Sequence, residues 1–215
     1  AIAGYAELIE LGLRGAVTDA QVTDLQKIRQ NQRHLLGLIN SVLSFARLDA
    51  GRVMYDIANV PVAASLRAVE SLIEPQLRER HLTYNLHPCD TTISVRADSE
   101  KLQQILLNLL GNAAKFTASS GRIDVSCNVE SRQVQLLVRD TGVGIPGELF
   151  ERIFEPFVQA NRTLRSSKEG VGLGLAISRE LARGMGGELS VESAVEVGST
   201  FTLTLPRGPD RTPIT

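Results

Sequence analysis

The sequence predicts an α+β fold. An N-terminal helical hairpin, half of a dimeric four-helix bundle, is followed by an α/β sandwich of one sheet with helices layered on one face. Three observations carry this. Between Asp19 and Asp49, the residues Leu25, Ile28, Gln32, Leu35, Ile39, Val42 and Ala46 recur at alternating spacings of three and four, a heptad seam. After Gly51 the pattern changes to short alternating segments separated by amphipathic ones. Within that second part, Leu102 to Thr117 (LQQILLNLLGNAAKFT) places Leu102, Ile105, Leu106, Leu109 and Leu110 on one wide apolar helical face.

The elements follow in order. Ala1 to Leu13 has helical spacing at Ile2, Ala6, Ile9 and Leu13, and Gly15 with Thr18-Asp19 makes a break and a new N-cap. The seam helix then runs from Asp19 to about Asp49, with Gly51 as its C-terminal stop. One hairpin cannot bury two seams, so pairing with a second copy is expected. Val53 to Val60 is expected as a strand, Val62 to Arg80 as a helix after Pro61, and Leu82 to Leu86 and Thr92 to Arg96 as short strands. Asp98-Ser99 caps the leucine-rich helix. Gly121 to Val129 and Gln133 to Arg139 alternate as a hairpin, Leu173 to Met185 is helical, and Glu188 to Ser193 and Ser199 to Leu205 are closing strands. The expected domains are 1–52, 53–206 and a frayed tail over 207–215, which is rich in proline.

The 215 residues are 43% hydrophobic and 22% charged, with a formal net charge of -1, so no global basic field points to nucleic acid. With no Trp and 4% aromatics, single-strand stacking platforms are not expected either. No apolar run is long enough to span a membrane and no signal peptide is recognised. The start at Ala1 lacks an initiator Met, which suggests a fragment. Cys89 and Cys127 stand far apart without metal-ligand neighbours, so inert thiols in a reduced cytosolic setting are expected.

Four stretches carry chemistry. On the leucine-rich helix, Asn108 and Asn112 lie one turn apart, with Lys115 following, a polar strip whose amides suit a hard cation and whose ammonium suits phosphate. Asp140-Thr141-Gly142-Val143-Gly144-Ile145-Pro146 ends a strand and presents a carboxylate beside a backbone open to close approach. Gly170-Val171-Gly172-Leu173-Gly174-Leu175 opens a helix and exposes N–H groups at its positive end. It matches neither the dinucleotide fingerprint nor a P-loop. Between these lie Phe154-Glu155-Pro156-Phe157 and the polar stretch Val158 to Glu169, with Arg162, Arg165 and Lys168, read as a cationic lid.

Taken together and in this order, the four stretches resemble the ATP-binding catalytic domain of bacterial sensor histidine kinases, on the Bergerat fold shared with gyrase, Hsp90 and MutL. NLLGNAAKFT is similar to the family's N box, DTGVGIP to its G1 box, FEPF to its F box and GVGLGLAIS to its G2 box, and HLLGLINSVLSFARLDAG resembles the end of its dimerisation hairpin. The resemblance implies ATP and Mg²⁺ as cofactors. Asn112 would ligate Mg²⁺, Asn108 would support the metal and phosphate region, Lys115 would contact phosphate, and Asp140 would take the adenine amine. Gly142 and Gly144 would shape the base pocket, with Ile145, Phe157 and Leu173 lining the site. Gly170, Gly172 and Gly174 would hinge the lid and receive phosphate, Arg162 and Arg165 would close over phosphate, and Thr200 would support the adenine side. It further implies a homodimer through the hairpin, an upstream sensor domain, a response-regulator receiver domain as partner, and a cytoplasmic location, whether free or as the cytoplasmic portion of a membrane-anchored receptor.

The chain departs from the family at the acceptor. The phosphoacceptor run His-Glu-Leu-Arg-x-Pro-Leu would lie before Ala1, so no catalytic acceptor is expected among His34, His81 and His87. His34 is followed by Leu35 where an acid would stand. An ATP-hydrolysing relative needs a glutamate base four residues before the metal-ligating Asn, and that position is Asn108, an amide that cannot take a proton from water. The competing reading is an ATP-binding and dimerisation module without phosphotransfer.

Overall fold

The computed structural model describes residues 2–158 and 172–209, the side chain of His34 excepted. They divide into two compact units, with the boundary between Ala50 and Gly51.

The first unit is a helical hairpin. Helix α1 (Ile2–Glu10) packs on α2 (Asp19–Asp49). Thr18 starts α2 with a capping box: its hydroxyl accepts from the Gln21 N–H, and the Gln21 side chain accepts from the Thr18 N–H. Gly51, at φ 63°, follows the Ala50 cap in the left-handed conformation that stops the helix. Arg29 pairs with Glu10 at 2.5 Å across the hairpin, and its hydrogen bond, with that of Gln26, holds the Glu10 carboxyl below the usual range. Ile28, Leu35, Ile39 and Val42 of the seam, with Leu36 and Leu43 beside them, are exposed.

The second unit is a sheet under three helices. Strand β1 (Ala58–Pro61) pairs antiparallel with β3 (Ser94–Ala97). The main sheet has the order β2-β4-β5-β7-β6, from β2 (Thr83–Leu86), β4 (Arg122–Val129), β5 (Gln133–Asp140), β6 (Glu188–Ala194) and β7 (Gly198–Pro206). It is antiparallel except where β2 runs parallel to β4. Ile123, Val125, Val134, Leu136, Val138, Phe201, Leu203 and Leu205 are buried on one face, against α3 (Val62–Glu79), α4 (Ser99–Phe116) and α5 (Gly174–Gly184). The other face is mostly polar, with Thr202, Thr204, Gln135 and Ser126 alternating outward.

Helix α4 is the centre of this layer. Leu102, Ile105, Leu106, Leu109 and Leu110 are all buried, as their spacing predicts. Asp98 caps it, one carboxylate oxygen accepting from the N–H groups of Glu100 (2.9 Å) and Lys101 (3.1 Å) and the other from the Asp56 N–H (3.1 Å).

Four expectations are corrected. The strand foreseen at Val53 to Val60 shrinks to Ala58–Pro61, because Tyr55 and Asp56 are held by side-chain contacts rather than a ladder: Asp56 by Asp98, and Tyr55 against Gly184, where a Cβ would overlap its ring. The first helix ends at Glu10, and turns with an isolated Leu13–Gly15 bridge follow over 11–15. Cys89 and Cys127 are not thiols but a disulfide, Cα atoms 6.0 Å apart. Parallel pairing of Leu86 with Val125 brings the two residues together across a sequence separation of 38. Finally, the tail does not fray at 207: Arg207 bridges Val95, the Gly208 N–H donates to Ser94 O, and the Ser94 hydroxyl donates to Pro209 O. Residues 210–215 lie outside the described residues.

Burial of Asp98 raises its pKa, but the N–H donors of Asp56, Lys101 and Glu100, with the Lys101 charge, outweigh it and hold the carboxyl below its ordinary range. A depressed carboxyl contributes stability that is present above its unfolded pKa and lost as pH falls through its folded one. Asp98→Ala should therefore cost about 1–2 kcal/mol at pH 7 by urea denaturation. The difference from the parent should narrow as pH falls below the ordinary carboxylate range, where the carboxyl of the parent protonates.

Candidate functional site

The polar strip of α4 follows from its buried face. With the leucines fixed inward, Asn108, Asn112 and Lys115 are left half-buried at the margin of the helix layer. The Asn108 amide donates to the Ser178 hydroxyl of α5 at 3.0 Å. Its oxygen lies against Gly174, where any Cβ would overlap the Asn108 side chain, so glycine at the start of α5 is what admits the amide. Leu173, 1% exposed, anchors the turn before α5. The Lys115 ammonium stands 4.7 Å from the centroid of the Phe116 ring.

Asp140 ends β5 on the sheet's buried face and is 6% exposed. Burial pushes its carboxyl above the ordinary range, partly opposed by hydrogen bonds from the N–H groups of Gly142 (2.8 Å) and Ser199. Among the described residues, the donors that hold this buried acceptor are backbone N–H groups. Gly142 sits close under Phe116 O, and the Val143 N–H donates to that same carbonyl at 3.3 Å, joining the loop to the end of α4. Gly144 is at φ 69°, with the Ala194 carbonyl where a Cβ would be, so both its conformation and its surroundings require glycine. The Ile145 N–H donates to the Ser193 hydroxyl at 2.8 Å, and that hydroxyl lies 2.9 Å from the Ser199 hydroxyl.

The Phe157 N–H donates to Gly172 O at 3.0 Å, so the two described ends on either side of residues 159–171 meet. Phe157 is 61% exposed and Phe154 is buried. The Arg179 guanidinium lies 4.6 Å over the Phe154 ring and bonds Glu151 and Glu188, each at 2.9 Å, tying this segment to α5 and β6. Arg162, Arg165 and Gly170, foreseen as lid and phosphate residues, lie outside the described residues.

The structure thus brings Asn108 to Gly174, and Asp140 to Gly142, with Gly144 and Ile145 next along the same loop. It does not bring Thr200 to Asp140. Thr200 pairs with Arg139 and Glu192 on the opposite face, while Ser199 is the residue across from Asp140. Strand alternation with Phe201, Leu203 and Leu205 places Ser199 on the buried face and was legible in the sequence. Ser178 was also missed; it stands one turn after Gly174, on the side of α5 that meets Asn108. Among the described residues, no three His, Cys, Asp or Glu side chains are placed to hold a metal ion, and no helix is long and apolar enough to cross a membrane.

The chain matches known proteins throughout. It is 32% identical over 207 residues to an uncharacterized sensor-like histidine kinase of Rhizobium meliloti, covering 96% of this chain and 39% of the relative. It is 35% identical over 206 residues to the signal transduction histidine-protein kinase BarA of Escherichia coli, covering 92% of this chain and 22% of BarA. It therefore spans well under half the length of these relatives. The crystal structure of full-length ShkA in complex with AMPPNP superimposes with a TM-score of 0.79 at 33% identity, over 99% of this chain and 44% of ShkA. Residues 97–209, which hold α4, the Asp140 loop, α5 and the closing strands, match the family described as histidine kinase-, DNA gyrase B- and HSP90-like ATPases, and the chain belongs to that family.

Proposed function

We propose that this chain is the ATP-binding core of a sensor histidine kinase. It would bind Mg-ATP and deliver the γ-phosphoryl to a histidine of the longer protein, for relay to an aspartate of a response-regulator receiver domain. The observation that carries the reading is Asp140, a buried carboxylate whose backbone donors leave it an acceptor for an exocyclic amine, on the sheet beside the polar strip of α4.

In this reading adenine is recognised by Asp140, with Ser199, Gly142, Gly144 and Ile145 framing the base. Phosphates would meet Lys115, and Mg²⁺ would meet the Asn112 amide oxygen. A single hard amide donor fits Mg²⁺ that arrives already bound to nucleotide phosphates and water, and does not require a carboxylate cage. When bound, that ion would neutralise phosphate charge. Asn108, committed to Ser178 and Gly174, would hold α5 against α4 and so set the glycine-rich opening. Phe157, Leu173, Gly170, Gly172, Arg162 and Arg165 would form the remaining rim. Catalysis by such a site would rest on positioning and charge neutralisation.

The exposed seam of α2 supports a homodimer, since Ile28, Leu35, Ile39 and Val42 remain open in a single chain. The alternative, an ATP-binding and dimerisation module without phosphotransfer, is favoured for the 215 residues taken alone, because none of the three histidines has the family's flanking acid.

Asp140→Asn tests the base site. It should weaken ATP binding by about 1.5–3 kcal/mol in calorimetry, the loss of a hydrogen bond to a charged group, and weaken GTP less. The sign for stability is opposite. A carboxyl raised by burial favours folding fully below its unfolded pKa and loses that contribution as pH rises through its folded pKa. At neutral pH, Asp140→Asn should leave the melting temperature unchanged or higher; a large fall in melting temperature with ATP affinity intact would refute the assignment. Light scattering should report a dimer, and a monomer at high concentration with the hairpin still helical would refute the seam reading. With γ-labelled ATP, this chain should bind nucleotide yet gain no acid-labile phosphate; label mapped to His34, His81 or His87 would show the acceptor to be within it.

A further inference from the structure

Helix α3 ends in a turn that aims one cation at another helix. Arg80 caps α3, and His81 follows at φ 54°, its N–H donating to Arg78 O at 3.0 Å, while the Leu82 N–H returns to Leu77 O at 3.0 Å. From this turn the Arg80 guanidinium reaches the C-terminal end of α4. Its Nη1 donates to Ala114 O at 3.1 Å and to Lys115 O at 3.2 Å.

Carbonyls in the last turn of a helix have no partner within it. At the end of α4 each finds one: Ala113 O takes the Thr117 N–H at 3.0 Å, Phe116 O takes the Val143 N–H, and Arg80 takes the two between. A positive group here also complements the negative end of the helix dipole. This turn bears Lys115 and directly follows Asn112. The base end of the site is fixed by other means, through the N–H groups of Gly142 and Ser199 on Asp140. The two ends of the site meet at Phe116, whose carbonyl takes the Val143 N–H, but each also has donors of its own, and those of Arg80 go to the Ala114 and Lys115 carbonyls at the phosphate end.

We infer that Arg80 is a positioning residue for the phosphate end of the site. By holding the last turn of α4 it sets where Asn112 and Lys115 meet phosphate and its metal, without touching nucleotide itself. This rests on the ATP reading above and names a residue that none of the nucleotide motifs includes.

The test separates the two ends of the ligand. The 215-residue chain, Arg80→Met (which keeps the aliphatic stem) and Arg80→Lys are titrated with Mg-ATP by calorimetry and with adenosine by chemical-shift mapping, below the melting temperature of each. Arg80→Met should weaken Mg-ATP about five- to tenfold, the scale of one charge-assisted hydrogen bond, and leave adenosine within about twofold. Arg80→Lys should recover part of the ATP affinity, because an ammonium can still donate to a carbonyl. Unchanged ATP affinity in Arg80→Met, or an equal loss of ATP and adenosine, overturns the inference and leaves Arg80 as a helix cap only. If the unaltered chain binds no ATP, the nucleotide reading falls and this inference with it; if it binds ATP while Arg80→Met matches it, only the inference falls.

Discussion

Burial of one face of α4 is the constraint on which the rest depends. Leu102, Ile105, Leu106, Leu109 and Leu110 are 0–2% exposed, and each contributes about 1.5–3 kcal/mol when removed from water. No rotation of the helix keeps that face inside and moves the amides. The side of the helix on which Asn108, Asn112 and Lys115 stand is therefore set by hydrophobic packing. The polar contacts act at the two ends and along one edge: Asp98 at the start, Arg80 at the finish, and Ser178 with Gly174 at the side. Each fixes a remaining degree of freedom that apolar packing leaves loose.

Much of this was readable in advance, and the reasons for what was not are physical. The leucine spacing gives α4, its face and its polar strip directly, and Asp98 is the cap that the sequence suggests. Local pattern carries no information about partners distant in the chain. The parallel pairing of β2 with β4 cannot be inferred from either strand, so the Cys89–Cys127 link was invisible. The Tyr55 and Asp56 segment has strand-like residues, yet packing of Tyr55 on Gly184 and the Asp56 N–H bond to Asp98 override that preference. Thr200 is a different case. The strand period alone distinguishes it from Ser199, and motif resemblance led past a rule that the sequence itself supplies.

Asp140 shows the opposing demands on such a site. A carboxylate 6% exposed, whose desolvation is offset among the described residues by backbone N–H groups, is unfavourable for the free protein. In the proposed role the same burial would make it selective, because an acceptor stripped of water discriminates strongly between a ligand that donates and one that does not. Gly142 and Gly144 belong to this arrangement. Their missing side chains let the loop fold beneath Phe116 and against Ala194.

The disulfide has a mechanical meaning as well. Cys89 and Cys127 close a covalent ring that contains β3 and the whole of α4. A force applied to the two ends of the oxidised chain passes through the sulfur bridge and never reaches the enclosed residues. Full extension then yields about 130 Å less contour than the reduced chain, from 38 residues at roughly 3.4 Å each. A machine that unfolds proteins by threading one strand through a narrow pore would meet, at this ring, two strands at once. The segment bearing Asn108, Asn112 and Lys115 is thereby the part of the oxidised molecule least accessible to being pulled straight.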